Sequence, residues 1–378
     1  MSTQQSYDLA VVGAGILGLA HALAAARRGL RVALIDRSER AVGASVRNFG
    51  LIWPIGQPAG PLLQRALRAR EVWLELKQAA GLPVEETGSL QVARHPTEMA
   101  VLEEFVARNR ESGYDIALLT PDEAVARSPL LRREGLLGAL WSGSELIATS
   151  PLCIRALPGY LAERYGVTVM QDCAVTRVES GLLHSERGTI RASRIVVCSG
   201  PDLQTLFPEV LKDLVVCKLQ MLSAAPLDPA FRLGPGLCAG LTLLHYDAFL
   251  GCTDSLPAYR QYAEERYPEQ RRWGVHVLVS QHAGGELIIG DSHEYSRTTV
   301  EPFDREEINV AILDYLNEFA QLPPHRITRR WQGVYPKLKG GSELVVDPLP
   351  GVTVVNAPGG AGMTLSFGLA EEVLASRL

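Results

Sequence analysis

The chain has 378 residues, 47% hydrophobic and 21% charged, with 37 basic against 42 acidic side chains, a net charge of -5 and a pI near 6.0. At roughly 100–200 residues per domain this length fills two or three folding units with ample core, which excludes a disulfide-stapled miniature and a disordered chain. The mild acidity leaves no electrostatic footprint for nucleic acid or anionic lipid, so neither is expected as a partner. Arginine is the default cation, because only Lys77, Lys212, Lys218, Lys337 and Lys339 are lysines. The cysteines form no C-x-x-C pair and read as buried thiols of a cytoplasmic protein, which excludes structural zinc and redox dithiols.

Residues 9 to 26, LAVVGAGILGLAHALAAA, are apolar and long enough to suggest a membrane span or signal segment. No basic cluster precedes them, glycines fall at Gly13, Gly15 and Gly18, and a second apolar run, RVALID, follows at once. That spacing fits a strand over Tyr7 to Val12, a glycine turn, a helix over Ile16 to Arg28 and a strand over Arg31 to Ile35. The chain therefore opens with a βαβ unit and a parallel sheet. A Gly- and Pro-rich loop (43–60) precedes a helix over Pro61 to Ala80. Further helices are expected over Pro96 to Ser112, after the Thr120-to-Glu123 capping box, and from Ser150-Pro151 to Tyr165. Short antiparallel strands then lead to an apolar strand ending at Ser199-Gly200. The region 202–325 mixes strands (Val215 to Ser223, Val275 to Ser280, Glu286 to Gly290) with helices (Leu256 to Arg272, Asp304 to Phe319). A last strand (Val352 to Ala357), a glycine turn and a helix (Met363 to Ser376) repeat the opening logic.

Gly13-Ala14-Gly15-Ile16-Leu17-Gly18 matches G-x-G-x-x-G, with Asp36 at the end of the second strand. Gly13 permits the turn, Gly15 lets the backbone approach a pyrophosphate, and Gly18 lets helix and strand pack, while Asp36 is placed to accept from a ribose hydroxyl. This signature does not separate NAD from FAD.

The loop GASVRNFG, the Ser199-Gly200 strand end and the C-terminal GGAGMTLSFG turn, in that order, resemble the D-amino-acid oxidase, glycine oxidase and sarcosine oxidase superfamily of FAD enzymes. The resemblance covers essentially the whole chain and implies an α/β fold. A Rossmann-like FAD domain with a β-meander would take residues 1–50, 146–205 and 326–378. A substrate domain with a mixed, largely antiparallel sheet would take 51–145 and 206–325. It implies non-covalent FAD held by the glycine turn, Asp36, Arg37, Ser45, Arg47, Asn48, Gly50, Leu51, Val175, Ser199, Gly200, Gly359, Gly360, Gly362, Met363 and Thr364. By family position the Thr364 hydroxyl and the Met363 amide would meet the flavin C2 carbonyl, where a helix N-terminus stabilises negative charge.

Amino-acid oxidases of this family hold the substrate carboxylate with an Arg in a G-[LV]-R-P strand; here the run is Gly333-Val334-Tyr335-Pro336, with Tyr335 in its place. Lys337 and Lys339 follow, and a mobile ammonium suits a tetrahedral oxyanion. Other candidate substrate-facing residues are His245, Tyr246, Lys218, Gln220, His276, Ser292, His293 and Trp53. His276, His282 and His293 match no metal-ligand spacing, and no metal is expected.

The runs SVRNFGLIWPIGQP, CKLQML, GLTLLHY, GVHVLVSQ, GDSHEY and RWQGVYPK resemble a narrower group of FAD oxidoreductases associated with breakdown of 2-aminoethylphosphonate. The resemblance implies hydride transfer from the amine to flavin N5 and imine hydrolysis to phosphonoacetaldehyde, or demethylation of an N-methyl substrate. Electrons would pass to oxygen or another acceptor; sarcosine-oxidase-like relatives place a lysine over the flavin where this chain has Leu287, Ile288 and Ile289. The alternatives are a glycine, D-amino-acid or N-methyl-amino-acid oxidase, and, in another class, a flavin- or NAD-binding protein without amine turnover. The absence of G-x-S-x-G and H-E-x-x-H agrees with chemistry carried by the cofactor.

Overall fold

The computed structural model describes residues 6–377. Its first sheet has a parallel centre in which Gly188–Val197 lies between Ser6–Val12 and Val352–Asn356, followed by Val32–Ile35 and Thr168–Met170 on the Ser6–Val12 side. The near-continuous apolar runs of these strands reflect a sheet covered on both faces. An antiparallel meander, Val175–Glu179 and Leu182–Ser185, extends the sheet from the first half of Gly188–Val197. The carboxyl ends of the parallel strands, at Val12, Ile35, Val197 and Asn356, therefore open on one edge, where such sheets bind ligands.

One face of this sheet is covered by the helices Ile16–Arg27, Pro61–Ala80, Ser150–Tyr165 and Gly362–Arg377, which share one apolar core. Trp73 anchors it: its ring meets Phe367 edge-on at 5.1 Å, and its Nε1 donates to the Met363 carbonyl at 2.9 Å. That bond ties the long helix to the start of the C-terminal helix, next to the glycine turn.

The second sheet has nine strands, with Leu214–Pro226 paired along its length to His325–Leu338 and, on its other edge, to Leu287–Gly290 and Glu294–Ser296. The strand His325–Leu338 runs from the outer end of this sheet to the glycine turn of the first, where Lys337 bridges to Pro358. It carries one sheet to the mouth of the other.

The single helix expected over Leu256 to Arg272 is two, Leu256–Arg266 and Pro268–Arg272. Pro268 has no N–H and pushes the residue before it out of the α region; Tyr267 sits at φ -125°, ψ 48°.

Candidate active site

At the carboxyl edge of the first sheet, Gly13 adopts φ 104°, and a Cβ there would stand 2.3 Å from the Cys198 carbonyl oxygen. A Cβ on Gly18 would stand 1.8 Å from the Gly13 oxygen, so the helix Ile16–Arg27 can start this close to the sheet only on glycine. Its first turn carries no acidic residue, leaving the positive end of the helix for an anion. The Ser45 hydroxyl accepts the Ile16 amide at 2.9 Å and so brings the loop 43–50 over that terminus. Asp36 accepts the Ala14 amide at 2.6 Å on one oxygen and the Ser38 amide at 2.8 Å on the other. Gly13, Gly15, Asp36, Arg37, Ser45, Val175, Ser199 and Gly200 all line one cavity here. Asn356 joins the neighbouring strand ends by donating to Ser199 Oγ and the Gly200 carbonyl, both at 3.1 Å.

A second, adjoining cavity is lined by Ile16, Leu17, Gly18, Arg47 and Asn48 on one side and by Gly359, Gly360, Gly362 and Met363 on another. Asn48 spends its amide within the protein, tying the loop to itself and to the start of the helix Ser150–Tyr165: Oδ1 accepts Gly50 N at 2.8 Å and Ser150 Oγ at 2.7 Å, and Nδ2 donates to the Ala44 carbonyl at 2.9 Å. Two expected cofactor residues, Ala14 and Gly50, line none of these cavities. Ala14 turns its amide to Asp36, and Gly50, at φ 77°, packs its Cα against the Ala148 carbonyl, where a Cβ would stand 1.9 Å away. Thr364 and Leu51 line a third cavity beside the second; the Thr364 hydroxyl accepts the Trp53 amide at 2.9 Å.

The far wall of the second cavity comes from the nine-stranded sheet: His245, Tyr246, His276, Asp291, His293 and Tyr335. The ring of His245 lies 3.7 Å from that of His276 and 4.5 Å from that of His293, centroid to centroid, and one nitrogen of each of the three imidazoles falls within 4.8 Å of the others. His293 Nδ1 pairs with the Gly274 carbonyl at 3.0 Å, which leaves Nε2 to the cluster. His276 Nε2 lies 3.3 Å from Asp291 Oδ1 without the alignment of a hydrogen bond, and among the described residues neither His276 nitrogen has another partner. Burial pushes His293 down to about 4 and holds His245 and His276 well below the ordinary imidazole range, with neighbouring imidazoles and Lys337 adding to the effect. Burial also holds the Asp291 carboxyl well above its usual range. The cluster is thus neutral at pH 7.

Lys337, Trp53, Tyr246 and His245 face the third cavity, and Lys337 Nζ lies 3.4 Å from the Tyr295 hydroxyl. The structure moves four expected substrate residues off the site. Lys218 and Gln220 do share a face, but it is the one turned away; Cys217 and Leu219 pack toward Tyr335, while Lys218 donates to the Phe303 carbonyl at 2.7 Å and Gln220 holds the Arg305 backbone and Asn309. Ser292 accepts the Gln220 amide at 3.1 Å in the strand ladder. Lys339 lies past the strand end, exposed, on none of these cavities. His282 pairs with the Phe49 carbonyl, so the grouping His276, His282, His293 does not form; His245 takes the third place. The expectation of no metal rested on linear spacing, which cannot see a group assembled from three distant segments. Asp291, Phe49 and Asn356 were missed as wall residues, although Asp291 lies within the GDSHEY run beside His293.

The family described as FAD dependent oxidoreductase matches residues 8–376. The chain belongs to that family. A glycine oxidase of Geobacillus kaustophilus (strain HTA426) is 28% identical over 206 residues, 51% of this chain and 54% of that protein, so the match spans about half of this relative's length. A monomeric sarcosine oxidase of Arthrobacter sp. (strain TE1826) is 25% identical over 335 residues, 80% of this chain and 84% of the relative. The structure of the L-alpha-glycerophosphate oxidase from Mycoplasma pneumoniae with FAD bound shares the fold, with a TM-score of 0.72 and 14% identity over 98% of this chain and 95% of that one.

The residues present fit FAD. The glycine cradle, the unopposed helix terminus and Asp36 form one end of three adjoining cavities, and the C-terminal helix begins at the other. In an FAD-dependent oxidoreductase with this chain, Gly13, Gly15, Ser45 and the Ile16–Arg27 terminus would hold the pyrophosphate, Asp36 would hold a ribose, and the helix N-terminus at Met363 would serve the flavin end. Among the described residues no helix is long and apolar enough to cross a membrane.

Proposed function

We propose that the chain is an amine oxidoreductase whose substrate carries a tetrahedral dianion: 2-aminoethylphosphonate or its N-methyl derivative, oxidised to phosphonoacetaldehyde. The observation that carries this is the makeup of the cavity wall opposite the C-terminal turn. Tyr335 stands where the resembled amino-acid oxidases place a carboxylate-binding arginine, three imidazoles line the same cavity, and Lys337 lines the adjoining one. FAD, when bound, supplies the two-electron acceptor. The chain's own part is positioning: Tyr335, Tyr246 and the imidazoles fix the substrate, and the buried wall limits water to what hydrolyses the imine. A buried neutral imidazole can also accept the ammonium proton, leaving the amine with the free electron pair that oxidation of its C–H bond requires.

One observation favours a second reading. Arg47 also lines the cavity, its Nη1 donating to the Gln332 carbonyl at 3.3 Å, and a turn of that side chain would offer a guanidinium to a carboxylate, as an oxidase of glycine or N-methyl amino acids requires. Anaerobic titration of the FAD-loaded protein with 2-aminoethylphosphonate, its N-methyl form, glycine and sarcosine separates the two. Bleaching of the flavin band by the phosphonates supports the first reading; bleaching by glycine or sarcosine alone overturns it. Protein that is purified colourless and takes up no FAD would overturn both.

A further inference from the structure

His245, His276 and His293 reach one point from three separate segments: the end of a 3-10 turn, the approach to the strand Leu278–Gln281, and the link between Leu287–Gly290 and Glu294–Ser296. Their rings lie against one another, tilted at 3.7 Å and 32° for His245 with His276 and stacked at 5.0 Å and 19° for His276 with His293. Among the described residues His276 is buried with both nitrogens unpartnered, as is the neighbouring Asp291 Oδ1. Buried polar atoms without partners are rare and call for something that satisfies them.

A cation fits this arrangement poorly. Imidazoles bound to one zinc ion radiate from it, with ring centres about 5 Å apart for nitrogens at about 2.0 Å from the metal in tetrahedral geometry. The centres of His245 and His276, only 3.7 Å apart with the rings tilted by 32°, stand closer than two imidazoles bound to one such ion. An anion fits better. Each imidazole presents an N–H or takes one up, Lys337 adds an ammonium at the rim with the neutral Tyr295 hydroxyl beside it, and Tyr246 and Tyr335 are neutral donors in the wall. Among the described residues Asp291 is the only carboxyl lining the cavity of the imidazoles, and in its protonated form it too donates, while the exposed Asp247 lines the adjoining cavity that Lys337 faces.

We infer that His245, His276 and His293 form an anion receptor in which at least one imidazole takes up a proton from solvent and becomes imidazolium as a tetrahedral oxyanion, a phosphonate or a phosphate monoester, enters beside Lys337. The inference rests on the reading of this cavity as the substrate end of the FAD site. It adds that recognition of the anion and a change of proton occupancy are one event. Adjacent imidazoles cannot all charge without a counter-ion in so buried a place, and a dianion supplies that charge.

The test uses FAD-loaded protein with 15N-labelled histidine, titrated with ethylphosphonate, which has no amine to oxidise. The expected result is that at saturation at least one of the three imidazoles changes from the neutral to the imidazolium 15N pattern. His245→Gln and Lys337→Met should each weaken ethylphosphonate about tenfold or more. Propionate, planar and singly charged, should bind at least about tenfold more weakly than ethylphosphonate. Ethyl phosphate tells the two sources apart: equal binding means the receptor reads the tetrahedral dianion, and weaker binding means it reads the P–C bond as well. The inference is overturned if all three imidazoles stay neutral at saturation, if both variants bind as the parent does, or if zinc binds one to one through the same imidazoles and displaces ethylphosphonate. The wild-type spectra stand whether or not a variant folds. If ethylphosphonate produces imidazolium but no aminophosphonate bleaches the flavin, the substrate reading falls and the receptor remains. Bleaching by 2-aminoethylphosphonate with neutral imidazoles sinks the receptor alone.

Discussion

Lys218 Nζ donates to the Phe303 carbonyl at 2.7 Å, with Asp304 Oδ1 at 3.5 Å and Glu294 Oε2 at 3.9 Å. This buried lysine pins the segment leading into the helix Glu306–Phe319 against the strand Leu214–Pro226, on the side of the sheet away from the cavity. Lys218→Met keeps the aliphatic stem but leaves the carbonyl and two carboxylates without their cation. A loss of about 2–4 kcal/mol is expected in urea unfolding. KM for the amine should stay within about twofold, because the side chain does not reach the substrate wall. A tenfold rise in KM with little change in stability would place Lys218 in the site after all.

The contrast between Lys218 and Gly13 shows what was legible. Alternation along VCKLQM correctly pairs Lys218 with Gln220 on one face, but alternation does not say which face meets the ligand when both are covered. The cofactor end could be read because Gly13, Gly15, Gly18 and Asp36 belong to one βαβ unit, so spacing and geometry coincide. The histidine cluster draws its members from positions 245, 276 and 293, and only the pairing of distant strands decides that His245, and not His282, joins the other two. Pro268 was visible as a residue, and its break in the helix followed from local chemistry that the periodicity over Leu256 to Arg272 outweighed.

Ser45 offers a direct test of the cofactor cradle. Its hydroxyl accepts the Ile16 amide and lies 3.0 Å from where a Gly15 Cβ would be, so it sits at the helix terminus itself. Ser45→Ala should leave the fold intact and weaken FAD by about tenfold, the value of roughly one hydrogen bond to a charged group. Gly15→Val, which places bulk against the same hydroxyl and over the terminus, should give protein that is purified without FAD. Both are read from the flavin absorbance retained after gel filtration and from fluorescence titration of the stripped protein.

The buried histidines should make stability fall on mild acidification. Burial pushes His21 and His293 down to about 4, whereas in the unfolded chain each titrates near 6.5. Above about pH 6.5 both states are neutral and the two histidines cost nothing. Between about 6.5 and 4 the unfolded chain binds protons that the folded chain refuses, so stability drops with falling pH by about 1.4 kcal/mol per pH unit for each histidine. At pH 5 that amounts to about 2 kcal/mol each. His21, whose Nδ1 pairs with the Leu17 carbonyl at 2.7 Å inside the first helix, is far from the substrate wall and is the one to remove. His21→Gln should lower stability at pH 7.5 yet flatten the slope between pH 6.5 and 5 by about one proton. Urea unfolding at several pH values gives the slope; an unchanged slope would mean that His21 is protonated in the folded protein.

Glu145 is fully buried and accepts the Ile55 amide on one oxygen and the Ser89 hydroxyl on the other, each at 3.0 Å. Burial holds its carboxyl above the ordinary range. It thereby fastens the turn 53–56 to the nine-stranded sheet. That turn sets the third cavity's wall: Trp53 meets Tyr246 at 6.2 Å, and a Cβ on Gly56 would stand 2.6 Å from Trp53 and 2.8 Å from Tyr246. Glu145→Gln keeps an acceptor for Ile55 and a polar group beside Ser89, and should cost no more than about 1 kcal/mol. Glu145→Ala strands the Ile55 amide in the core and leaves a cavity, so about 2–4 kcal/mol should be lost. If the turn positions the wall, the alanine variant should also raise KM several-fold while kcat changes less, and the glutamine variant should restore KM. Parallel loss of kcat and KM in both variants would instead give Glu145 a part in the reaction itself.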